Sequence, residues 1–182
     1  MNFRFLTLTV AALMFTTGIA SAENFKLSSM DIAEGEKLTE EFVYNGFGCE
    51  GQNLSPHLLW ENPPEGTKSF AINVYDPDAP TGSGWWHWTL VNIPLEVMEL
   101  PRNAAAAKAI PETAIQLKND YGAVSFGGAC PPPNEVHRYH FTVYALGVEK
   151  LDISPDASNA LAGFMINANS LASDTITATY TR

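Results

Sequence analysis

Ser69-Phe70-Ala71-Ile72-Asn73-Val74-Tyr75 runs into Asp76-Pro77-Asp78-Ala79-Pro80, and His87-Trp88-Thr89-Leu90-Val91-Asn92-Ile93-Pro94 follows. The first run is apolar and β-branched and stops at an Asp-Pro turn, as a buried strand does. The second reads as another strand, ended by Pro94 because proline cannot donate to a ladder. A later stretch, Cys130-Pro131-Pro132-Pro133 and then His137-Arg138-Tyr139, again sets polar groups beside rigid prolines at the end of an apolar run. Packed together, the two stretches would make one small polar pocket with two carboxylates, two histidines, an arginine and a tyrosine. A site of that make-up binds a small charged group, with or without chemistry on it.

Working outward, residues 138–146 alternate over their first part and stop at Gly147, and residues 175–180 read as a last strand. One helix is expected over residues 156–171, with Ser154 as N-cap and Pro155 in the first helical position. Leu161, Phe164, Met165 and Ala168 recur at helical spacing and are expected in the core. Strands dominate and turns rich in Pro and Gly are frequent. The fold class is therefore mainly β, a sandwich or barrel with appended helices. The connections 75–87 and 122–137 are loops by composition, and loops held on a rigid sheet are where sites are built.

The chain has 182 residues. Residues 1–22 are set aside. Arg4 is the only charge before the apolar run 5–14, and Ala20-Ser21-Ala22 supplies a small-residue cleavage pattern. This is a secretory signal peptide cleaved before Glu23, leaving residues 23–182 as a single domain in the periplasm or outside the cell. The leader's apolar core is shorter than the ~20 residues of a membrane span. The formal charge is -10, and losing Arg4 with the leader makes it -11. Nucleic acid and anionic membrane surfaces both require a positive footprint, so neither is an expected partner. Cys49 and Cys130 are the only cysteines, and an even pair in an exported chain points to one disulfide rather than two thiols. That bond would set the loop 46–55 beside residues 131–133.

Pro77 pre-orders Asp76 and Asp78 at little entropic cost, and Ala79-Pro80 is a candidate cis bond. His87 opens an apolar strand between tryptophans, where a histidine is more often a satisfied core residue than a ligand. In His137-Arg138-Tyr139 the strand period sends His137 and Tyr139 to one face and Arg138 to the other. Arg138 is therefore a structural clamp, with Asp76 or Asp78 as its partner. No His-x-His or Glu-x-x-His pair concentrates metal ligands, so no metal is expected. Ser83 lacks a Gly-x-Ser-x-Gly context, and paired cysteines cannot act as nucleophiles, so no catalysis is expected.

At these residues the chain resembles the phosphatidylethanolamine-binding protein family, also called Raf kinase inhibitor-like proteins, in its exported bacterial branch. The resemblance rests on Gly51-Gln52-Asn53-Leu54-Ser55-Pro56, Leu59-Trp60, Gly66-Thr67-Lys68-Ser69-Phe70, the turn 76–80, His87-Trp88 to Pro94, Gly127-Gly128-Ala129-Cys130-Pro131-Pro132, and the run from His137 to Leu146. It covers about residues 25–182. It implies an antiparallel β-sandwich with a few peripheral helices, one of them near the C-terminus. It also implies an anion pocket, with no cofactor, that takes phosphate-like groups including phospholipid head groups. Carried over, Asp76, Asp78, His87, Cys130, Pro131, His137 and Tyr139 line that pocket. A main-chain N–H near Ala129 or Cys130 donates to the anion, as do protonated histidines and the tyrosine hydroxyl. The chain departs from the family at Pro133-Asn134-Glu135-Val136, which lacks a glycine and is one residue short. Glu135 there can repel anions.

Three functions compete: a periplasmic module binding a small phosphorylated or anionic ligand, an inhibitor-like module acting on a kinase or protease partner, and an enzyme. The first is the expected one. A protein partner and a homodimer are left open.

Overall fold

The structure, a computed structural model, describes residues 24–107 and 109–182. The leader expected over residues 1–22 lies outside the described residues. No helix among the described residues is long and apolar enough to cross a membrane.

The strands are β1 (Lys26–Ser28), β2 (Asn45–Gly46), β3 (Cys49–Glu50), β4 (Leu58–Glu61), β5 (Ser69–Asp76), β6 (Trp85–Pro94), β7 (Glu99–Leu100), β8 (Ile115–Gln116), β9 (His137–Leu146) and β10 (Ser170–Tyr180). One helix, α1 (Asn159–Asn169), precedes β10, and a 3-10 turn covers Glu40–Phe42. The larger sheet has the order β10-β9-β5-β6-β8 and the smaller the order β1-β4-β7, and the strand pairs within both are antiparallel. β2 and β3 form a separate hairpin.

β5 explains why the opening stretch is so apolar. It is paired on both edges, with β6 and β9, and buried on both faces. Phe70, Ile72 and Val74 face a core shared with Trp88, Leu90, Phe141 and Val143 of the large sheet and Leu27, Leu58, Trp60 and Leu100 of the small one. Ala71 faces the other way, into a second cluster with Val91, Leu117, Leu146, Leu151, Ala162 and Ile166. Alternate side chains thus enter two cores, so the strand reads as a continuous apolar run. The sandwich expected from the sequence is present, and the expected helix near the C-terminus is the one α-helix among the described residues.

The helix begins later than expected. Ser154 and Pro155 form a separate turn, with Ala157 N–H donating to Ser154 O at 3.0 Å. Ser158 is the N-cap, its hydroxyl accepting from Leu161 N–H at 3.1 Å. The buried face also differs from the expected stripe. Asn159, Ala162 and Ile166 are buried, while Leu161 is 48% and Phe164 72% exposed. Asn159 sets this rotation by donating from Nδ2 to Lys118 O at 2.9 Å. A polar residue outside the expected stripe thus holds a buried position.

Two ties fix the end of the sheet where the carboxylates and histidines lie. Cys49 and Cys130 are disulfide-bonded, closing a sequence separation of 81 residues. Arg138 and Asp78 join the β5–β6 turn to β9: Nε and Nη2 of the guanidinium donate to the two carboxylate oxygens at 2.9 and 2.7 Å, and Arg138 N–H adds a third bond at 2.9 Å. The arginine is half-exposed rather than buried, so it clamps the turn from the surface. The Ala79–Pro80 bond is trans, as is every peptide bond among the described residues. Asp76 Oδ1 instead shapes the turn by accepting from Asp78 and Ala79 N–H at 2.8 and 3.1 Å, an aspartate turn that needs no cis bond.

Removing the disulfide with Cys49→Ser/Cys130→Ser is expected to lower stability to denaturant by ~4 kcal/mol, the loop-closure value for such a span. An unchanged urea midpoint would show that the loops are held by other contacts. The Arg138 hydrogen bonds hold the Asp78 pKa down to about 2. A depressed carboxylate stabilises the fold above its unfolded pKa, and that contribution fades as pH falls from ~4 toward 2. Asp78→Asn should flatten this part of the acid-unfolding profile, and an unaltered profile would remove the pair as its source.

Candidate functional site

β9, β5 and β6 are neighbours, and their antiparallel register brings the end of β5, the start of β6 and the start of β9 to the same edge of the sheet. Asp76, His87 and His137 meet there, each almost fully buried. They wall a cavity of about 230 Å³ with Ala79, Pro80, Trp85, Tyr121, Cys130 and Pro131. The sequence stretches 76–80, 87 and 130–137 are thus brought together as expected. Two of the expected wall residues stand back. Asp78 is outside the wall, engaged with Arg138, and Tyr139 lies behind His87 with the rings edge-on at 5.2 Å.

The two histidines have opposite settings. His137 Nδ1 lies 2.7 Å from Asp76 Oδ2, and its Nε2 lies 3.0 Å from Glu135 Oε2. Burial opposes its charge, but the hydrogen bonds to Asp76 and Glu135 outweigh burial and raise its pKa above the ordinary histidine value. His87 is fully buried, and desolvation drives its pKa down despite the charge of Asp76 nearby. Its Nδ1 faces Gly127 O at 2.7 Å, and a carbonyl only accepts, so Nδ1 carries the hydrogen. In the neutral ring Nε2 then holds a bare lone pair. Charge-assisted donation therefore belongs to His137, and His87 offers an acceptor.

Three buried polar atoms of this neighbourhood have no partner: Trp85 Nε1, His87 Nε2 and the Tyr139 hydroxyl. Burial also raises the Tyr139 and Tyr121 pKa values, so both phenols stay protonated donors. Tyr121 already donates to Gly128 O at 3.0 Å and stacks on Tyr44 with centroids 3.8 Å apart.

The segment 127–129, which leads into the wall residue Cys130, has its main-chain donors spent. Gly127 N–H donates to His87 O, Gly128 N–H to Asn53 Oδ1 and Ala129 N–H to Phe42 O, at 2.9, 2.7 and 3.0 Å. The N–H of Ala129 is thus unavailable to an anion. Gly128 is required here because a Cβ would stand 2.5 Å from the Phe42 carbonyl oxygen.

Sequence reasoning missed Tyr121, Phe47 and the contact of Glu135 with His137. Tyr121 sits in a loop with no period to place it. Phe47 adopts φ 53 in the hairpin turn and is 70% exposed at the cavity lip, where the disulfide and Arg182 hold it. Asn134 takes the left-handed position (φ 66) that a glycine would otherwise fill, and so the short loop turns Glu135 back toward His137. Among the described residues, no group of three or more His, Cys, Asp or Glu side chains is placed to hold a metal ion.

Comparison with known proteins gives the lineage. The family model described as phosphatidylethanolamine-binding protein matches residues 28–181. The YbcL protein of Escherichia coli is 52% identical over 171 residues, covering 92% of this chain and 93% of the relative. The YbhB protein of the same organism is 48% identical over 156 residues, 85% of this chain and 99% of the relative. The crystal structure of E. coli YbcL, described as a member of the mammalian PEBP family, superimposes with a TM-score of 0.84 over 87% of this chain and 98% of that one. A homologue from Chlamydia trachomatis superimposes with a TM-score of 0.73 at 26% identity, covering 87% of this chain and 97% of that one. The chain belongs to the phosphatidylethanolamine-binding protein family.

Proposed function

We propose that this chain is an exported binding protein that takes an oxyanion-bearing group, such as a phosphate ester or a phospholipid head group, into the cavity beside His87 and His137 without performing chemistry on it. The observation that carries this reading is the set of unpartnered polar atoms. Buried polar atoms in folded proteins are nearly always hydrogen-bonded, and leaving one unmet costs ~1–3 kcal/mol. Here Trp85 Nε1 is an unused donor and His87 Nε2 an unused acceptor, both from residues of the cavity wall, with the unpartnered Tyr139 hydroxyl in the layer behind His87. The donor suits a charged phosphate oxygen, and the acceptor suits a protonated oxygen or the N–H of a head-group ammonium. His137 adds a positive charge, supported from behind by Asp76. The cavity volume suits a head group rather than a whole lipid. A disulfide and the leader-like residues 1–22 favour an oxidising compartment such as the periplasm.

A second reading has its own observation. Phe47 at the lip and Val136 beside His137 are apolar and exposed, at 70% and 65%. A protein partner could lay an apolar segment there, as an inhibitor-like role requires.

Calorimetric titration of the mature protein with phosphate, phosphoethanolamine and a short-chain phospholipid is expected to give saturable binding that His87→Ala/His137→Ala abolishes. No heat from any of them would overturn the oxyanion reading and move the weight to the partner role. Binding of a phosphate diester, which does not titrate between pH 5 and 9, should be strongest where His137 is charged. It should weaken as pH rises through the elevated His137 pKa, above ~6.5. A profile that breaks below that value would place the responsible charge elsewhere.

A further inference from the structure

Whatever enters the cavity meets a histidine that is already engaged. His137 Nδ1 faces Asp76 and Nε2 faces Glu135. Carboxylates only accept, so the protonated ring gives both its N–H groups to them and has none left for a third acceptor.

The two carboxylates are held very differently. The Asp76 side chain is 4% exposed and also accepts from two main-chain N–H groups, so moving it would dismantle the turn. The Glu135 side chain is 52% exposed, and its carboxylate has no hydrogen-bond partner except His137 among the described residues. Its backbone is fixed. Glu135 N–H donates to Pro132 O at 3.2 Å, and Asn134 N–H donates to Arg182 O at 3.0 Å. The side chain can therefore swing into water about its own torsions while the loop stays in place. The cavity wall includes His137 and Pro132 but not Glu135, so the carboxylate covers the ring edge from the rim. Charge favours its release. Asp76 and Glu135 face one imidazolium, and an entering anion would be repelled unless one of them leaves.

We propose that Glu135 is an internal, displaceable occupant of the anion position at His137 Nε2, and that a ligand oxyanion binds by exchanging with it. This rests on the reading of the cavity as an oxyanion site. It makes Glu135 a specificity-determining residue. The released carboxylate stays tethered at the rim, where it repels a second negative charge. The site thereby favours a singly charged oxyanion, such as a phosphate diester, over a dianion.

The test is calorimetric titration of the mature protein and of Glu135→Gln with dimethyl phosphate and with sulfate at pH 6, where His137 is charged and sulfate is a dianion. Glutamine keeps the side-chain length and removes the charge. Both ligands should bind more tightly to the variant, with the larger gain for sulfate, about tenfold or more. Glu135→Ala should gain in the same direction, which excludes the new amide as the source. Equal or weaker binding by either variant would overturn the exchange and leave the oxyanion site standing. An equal gain for both ligands would overturn the charge selection. No binding of either ligand to any of the proteins would overturn the exchange together with the oxyanion reading on which it rests.

Discussion

The Asp76 carboxylate holds this end of the molecule together. One oxygen shapes the turn after β5 by accepting from Asp78 and Ala79, and the other fixes His137 at the start of β9. A buried carboxylate is tolerated only when its charge is compensated and its lone pairs are filled. The histidine supplies the charge and the turn supplies the hydrogen bonds. Without Asp76, neither the cavity wall at Ala79 and Pro80 nor the tilt of the His137 ring would be defined. The tie costs little conformational freedom, because Pro77 already restricts the chain where the carboxylate must reach back.

The rest of the cavity is built by a different kind of constraint. Backbone passes very close to backbone where Gly128 meets residues 42–44, and the disulfide locks Cys130 against the hairpin of β2 and β3. Aromatic rings fill the remaining space, with Tyr44 stacked on Tyr121 and Trp85 meeting Tyr121 edge-on at 5.1 Å. Rigid backbone and wide rings leave a narrow space with few donors on its wall. A small set of polar atoms therefore dominates what it can bind.

Much of this was legible in the chain. The long central strands, the Asp-Pro turn, the cysteine pair and the two-faced alternation of His137-Arg138-Tyr139 all follow from period and local residue preference, and each appears in the structure. The helix is less legible. Ser154-Pro155 carries a helix-start signal, yet Ser158, four residues on, makes the cap, and a polar residue, Asn159, turns the buried face away from the expected stripe. Local signals of equal strength compete at such places, and packing chooses between them.

The sequence by itself determined which segments are strands and that two carboxylate–histidine clusters lie at strand ends, because strand period and proline turns are local. Only the tertiary structure decided how the polar groups divide their work. Asp76 pairs with His137 and Asp78 with Arg138, burial favours the neutral form of His87 while two carboxylates favour the charged form of His137, and Glu135 returns to the histidine two residues later. Those outcomes depend on burial and on distances between residues up to 61 positions apart. Electrostatics acts through space rather than along the chain, so no reading of neighbours could have assigned them.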